Sequence, residues 1–127
     1  MNTRKIPREL AIDLLERSDC RVQVAAVISD RKGCIISWGW NHASLGSAGK
    51  HAEAHAIERA NRERLKSAII TVAARRKSNK RMLCARPCEI IKSENPAYLS
   101  PCMELLKKHG IAIAEYTSGS GWEKISI

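Results

Sequence analysis

Apolar residues recur at two spacings along this chain, and the spacings divide it into elements. In residues 7–17, Leu10, Ile12, Leu14 and Leu15 fall at helical intervals behind Pro7, a residue suited to a first helical turn. Residues 21–29 (RVQVAAVIS) are a β-branched run that reads as a buried strand. Asp30-Arg31-Lys32-Gly33 is a turn, and residues 34–40 (CIISWGW) return as the second strand of a hairpin. Residues 41–50, with Gly46, Gly49 and two serines, read as a loop. Good helix formers extend from His51 to about Lys66. A strand follows at 68–74 (AIITVAA), then a polar turn at 75–81 and a short extended segment at 82–85. Residues 89–99 form a polar insertion that contains Pro96. Ser100 suits an N-cap and Pro101 a first helical position, for a helix that runs to His109 and stops at Gly110. Residues 111–117 and 122–127 are the last two strands, joined by a turn at 118–121.

The order α-β-β-α-β-α-β-β predicts a mixed sheet packed by helices. The last two strands have too few residues between them for a crossover helix, so they should run antiparallel. With 127 residues and 44% hydrophobic composition, one folded domain spanning 1–127 is expected. No apolar run approaches the roughly 18 residues that a membrane span needs. The basic start, Met1 to Pro7, has no apolar stretch behind it, so no signal peptide is read and a cytoplasmic location is expected. Five cysteines, an odd number, argue against a disulfide framework.

The chemistry concentrates at His51-Ala52-Glu53, at the start of a predicted helix, and at Pro87-Cys88 and Pro101-Cys102. One histidine and two cysteines can hold a zinc ion on three sides and leave the fourth open to water, as hydrolytic sites require. Glu53 is two residues from His51 and can stand beside that water without binding metal. His51 and Cys102 both sit at expected helix starts, where partial positive charge favours a thiolate ligand. His55, one turn after His51, reads as a structural neighbour, because a fourth protein ligand would close the site. Thirteen residues separate Cys88 from Cys102, far from the two-to-four spacing of a zinc knuckle. Cys84 is the alternative to Cys88, since 84, 86 and 88 share a face of an extended segment. Cys20, Cys34 and Cys84 otherwise read as small core residues.

These motifs, "HAEAHAI", "ARPC" and "SPCMELLKKHGI", resemble the cytidine deaminase-like superfamily, whose pattern is His-Ala-Glu at one helix start and Pro-Cys-x-x-Cys at another. The resemblance runs over roughly residues 8–127, and "SWGWN" resembles the stretch that precedes the family's site loop. It implies a three-layer α/β fold with a mixed five-stranded sheet flanked by helices and closed by an antiparallel hairpin. It implies a zinc-dependent hydrolytic deaminase, with His51, Cys88 and Cys102 on the metal and Glu53 catalytic. It also implies substrate contacts at Asn41, near the sugar, and at Ala52 and Trp40. The insertion between the cysteines departs from the family pattern.

Net charge is +9, which favours a phosphate-bearing partner. Five of the seven residues from Arg75 to Arg81 are basic, either a solvated turn or a phosphate contact. Trp38 and Trp40 share a strand face and either stack a base or fill the core. The expected substrate is a cytosine-type base in a free nucleoside or nucleotide, and a homo-oligomer is expected. The alternatives are a base within single-stranded nucleic acid, and a zinc-stabilised interaction protein with an inactive site. With only five aromatic residues, an extended stacking surface is poorly supported.

Overall fold

A computed structural model of the chain describes residues 5–44, 47–87 and 102–127. Among the described residues three helices, α1 (Lys5–Leu14), α2 (Ala52–Arg59) and α3 (Cys102–Lys108), accompany seven strands. The strands are β1 (Val22–Ser29), β2 (Ile35–Trp40), β3 (His42–Ser44), β4 (Ser47–Lys50), β5 (Ile69–Arg76), β6 (Ile113–Ser118) and β7 (Gly121–Ser126). Cys88, the insertion at 89–99, Ser100 and Pro101 lie outside the described residues.

Five strands form one sheet in the order β2-β1-β5-β6-β7. Only β5 and β6 are parallel; the other neighbours are antiparallel, including the expected hairpin β6–β7. Alternate residues of β1 and β5 face opposite sides, and each side carries its own core. Ala26, Ile28, Ile70 and Val72 pack with Ala56 and Leu106 on the α2/α3 side. Ala25, Val27 and Ala73 pack with Ala11, Leu14 and Leu15 on the α1 side. The result is the expected three-layer arrangement of helix, mixed sheet and helix. On the α1 side the buried Glu115 pairs with Arg8. Among the described residues no helix is long and apolar enough to cross a membrane.

Two local readings change, and one holds. The loop expected at 41–50 contains the small hairpin β3–β4, in which His42 pairs with Lys50. The helix expected from His51 to about Lys66 ends at Arg59. Ala60 and Asn61 turn extended, and the Asn61 side chain accepts the Glu63 N–H to cap a separate 3-10 turn at Arg62–Arg64. An asparagine carbonyl that bonds its own downstream backbone offers the chain an alternative to the helix. Gly110 does stop α3, with φ of 78°, as its position predicts.

Candidate active site

Two helix starts, two strands, Asn41 and the segment after β5 converge on one small cavity of 220 Å³. Its sheet side is Val24 and Ala74, which pair across β1 and β5. Its helix side is His51, Ala52 and Glu53 from the start of α2 and Cys102 from the start of α3. The cavity thus sits at the end of the sheet where β5 and its parallel partner β6 finish, a common ligand position in α/β folds.

Gly39 brings α2 to this point. A Cβ at Gly39 would stand 2.5 Å from the Ala56 nitrogen and 2.9 Å from the Ala52 carbonyl oxygen. Helix α2 therefore rests on the bare backbone of β2, and the buried Ser37 hydroxyl donates to the Ala56 carbonyl at 2.7 Å to fix the contact. Trp40 N–H donates to His55 Nδ1 at 3.2 Å, which ties His55 to the backbone of β2. Neither Gly39 nor Ser37 was singled out in the sequence, although a glycine between two tryptophans of a strand is a sign of close backbone approach.

His51 precedes α2 in extended conformation, and its Nδ1 lies 3.1 Å from Cys102 Sγ. Glu53 is one residue into the helix and buried. Burial pushes its carboxyl above the ordinary carboxylate range, against the opposing pull of its own backbone N–H, of nearby His51 and of a hydrogen bond with Cys102. Cys84 lines the same cavity from the segment after β5. That segment is tied down by Thr117, whose hydroxyl donates to the Leu83 carbonyl at 2.9 Å and whose carbonyl accepts the Ala85 N–H at 2.9 Å.

Asn41 lines the cavity, but its amide is largely committed to β1. Its Oδ1 accepts from the Ser18 hydroxyl at 2.6 Å and the Val24 N–H at 2.9 Å, and its Nδ2 donates to the Val22 carbonyl at 2.8 Å. Trp40, expected as a substrate contact, lies outside the residues that line this cavity. It pairs with Ala25, whose side chain faces α1, and its ring packs at the sheet edge between that core and the His55 ring, met edge-on with centroids 4.8 Å apart, under the Arg17 and Arg59 guanidinium groups at 5.5 and 5.7 Å. Consecutive strand residues point to opposite faces, so a chain that turns Asn41 toward the cavity turns Trp40 away.

The family model for the cytidine and deoxycytidylate deaminase zinc-binding region matches residues 2–117. The chain belongs to this family. The family's description names zinc as the metal to test against the residues present. His51 and Cys102 supply nitrogen and sulfur donors at 3.1 Å, near the separation of about 3.5 Å that tetrahedral zinc with bonds of about 2.0 and 2.3 Å imposes. Among the described residues no group of three His, Cys, Asp or Glu is assembled for a metal, and Cys88 lies outside them. The two donors fit zinc, and Cys84 or Cys88 is the candidate for a third.

The fold of Acinetobacter baumannii RibD is similar in two forms. Form 1 gives a TM-score of 0.63 and form 2 gives 0.64, each at 22% identity over 91% of this chain. The chain spans 28% of the length of that protein. No curated protein matches the sequence significantly.

Proposed function

We propose that the chain catalyses hydrolytic deamination of a cytosine-type base carried by a free nucleoside or nucleotide. The observation that carries this reading is the buried Glu53 carboxyl beside the His51–Cys102 donor pair in a cavity of 220 Å³. His51, Cys102 and either Cys88 or Cys84 would hold zinc. Zinc in such a site acts as a Lewis acid that brings the pKa of water toward neutrality.

The remaining work falls to Glu53. Its carboxylate takes a proton from water as the water oxygen bonds to the ring carbon that bears the amino group. It passes that proton to the adjacent ring nitrogen, takes the second proton from the newly formed hydroxyl, and delivers it to the amino nitrogen as the carbonyl forms, the C–N bond breaks and ammonia leaves. A carboxyl raised by burial suits this alternation, because desolvation makes it a stronger proton acceptor than an ordinary carboxylate. Ala52, fully buried, keeps the wall beside Glu53 dry, and Asn41 holds the β1–β2 corner that bounds the cavity.

Glu53→Ala should lower ammonia release from nucleosides and nucleotides by roughly 10² to 10⁴-fold for each proton transfer lost, with zinc content retained. Turnover near the parent level in that variant would assign the proton transfers to another group. A zinc-stabilised interaction protein with an inactive site has no use for a desolvated carboxyl, so the buried Glu53 favours the enzyme.

A further inference from the structure

Beside the Glu53 cavity lies a larger groove of 690 Å³, lined by Arg21, Val22, Arg76, Lys77 and Ser78. Val22 lines both hollows. The strand register explains the junction: Val24 pairs with Ala74 in the cavity, and Val22 pairs with Arg76 in the groove. Residues two apart on a strand share a face and lie about 7 Å apart. The groove is therefore the next step outward along the sheet face that floors the cavity.

The same register divides the basic run. Arg75 pairs with Gln23 on the opposite face, and its Nε donates to Gln23 Oε1 at 2.8 Å. Arg76 stays on the cavity side by register, and Arg21 and Lys77, just beyond the paired residues, line the groove with it. Their backbone is bonded in place: the Lys77 N–H donates to the Arg21 carbonyl at 2.8 Å, and the Arg76 N–H to the Arg81 carbonyl at 2.9 Å. Among the described residues no carboxylate lies within ion-pair distance of Arg21, Arg76 or Lys77. Three like charges around one groove repel one another until an anion enters. Between them and the cavity, Val22 is an apolar step, 43% exposed.

We propose that Arg21, Arg76 and Lys77 form a phosphate subsite, which holds the phosphate of a nucleotide whose base lies against Glu53. The placement of the base rests on the deaminase reading above; the anion binding does not. One pleat of sheet matches the step from base to phosphate within a single nucleotide, and the exposed Val22 gives the sugar an apolar surface to cross. A free mononucleotide and a strand of nucleic acid both present this group.

The test uses the zinc-loaded protein with cytidine, cytidine monophosphate and a short oligodeoxycytidylate, by calorimetric binding and by ammonia release. The parent should bind the monophosphate at least about tenfold more tightly than cytidine, the scale of one charge-assisted hydrogen bond. The triple variant Arg21→Gln, Arg76→Gln, Lys77→Gln should lose that preference, and Arg76→Gln alone should lose much of it. Arg75→Gln, on the far face, should keep it. Tighter, steeply salt-dependent binding of the oligonucleotide that the triple variant weakens identifies the phosphate as that of a strand; equal or weaker binding identifies a free nucleotide. Equal binding of cytidine and its monophosphate by the parent, or an unchanged preference in the triple variant, overturns the subsite. Phosphate-dependent binding without ammonia release keeps the subsite and removes the deaminase reading. Ammonia release without phosphate preference does the reverse.

Discussion

Gly39→Ala tests whether the position of α2 is set by backbone contact with β2. The added methyl carbon would meet the Ala56 nitrogen at 2.5 Å, His55 Cβ at 2.8 Å and the Ala52 carbonyl oxygen at 2.9 Å. Two of these are helix backbone, so no side-chain rotation relieves them. Restoring ordinary contact at 3.4 Å requires α2 to retreat by about 0.9 Å. Overpacking of this kind costs about 1–3 kcal/mol, which for a chain of this size lowers Tm by roughly 4–11 °C. The functional cost is separate. His51 and Glu53 travel with α2, whereas Cys102 belongs to α3, so the 3.1 Å separation of His51 from Cys102 changes. Misplacement near 1 Å costs about 10²-fold in rate, and displacing supports of a metal ligand costs about 10 to 100-fold in metal affinity. Ammonia release, zinc titration against a competing chelator and thermal melting together separate the two effects. A Gly39→Ala protein with parent zinc affinity, turnover and Tm would show that α2 is not held by this contact.

Three further predictions follow from other parts of the molecule. Elemental analysis should give near one zinc per chain and a loss in Cys102→Ala; loss in Cys84→Ala with retention in Cys88→Ala would make Cys84 the third donor. Arg8→Ala should leave Glu115 buried without its cation and cost roughly 3 kcal/mol, the low end for a broken buried pair because Arg8 is 39% exposed; an unchanged urea midpoint refutes it. The β1–β2 turn should depend on pH through Asp30, whose carboxyl is held below its ordinary value of 3.8, chiefly by the Cys34 N–H. A depressed carboxylate stabilises the fold above the unfolded pKa and loses that contribution as pH falls through the folded one. The gap in urea midpoint between the parent and Asp30→Ala should therefore narrow on acidification toward pH 3.8 and below, and a gap that widens would contradict the assignment.

The readable parts of this chain are those whose cause is local. The β1–β2 and β6–β7 hairpins follow from apolar runs punctuated by turn residues, and the His51–Glu53 and Cys102 positions follow from helix starts that the composition marks. What was not legible either leaves no periodic trace, is decided by one side chain within its own turn, or depends on a partner distant in sequence. The β3–β4 pairing of His42 with Lys50 leaves no periodic trace in a Gly/Ser-rich stretch. The end of α2 was set by one asparagine bonding its own turn, which outweighs good helix formers on either side. Trp40 illustrates the sharper difficulty. Its parity with Asn41 was visible, since neighbouring residues of a strand face opposite ways, but which of the two meets the cavity depends on which face α2 covers. The same ambiguity made the basic run look uniform. Once Gly39 assigns α2 to its face of the sheet, parity alone sends Arg76 to the cavity side and Arg75 away. One close backbone contact therefore orients α2 and goes with the strand parity that decides which of the basic side chains face the cavity.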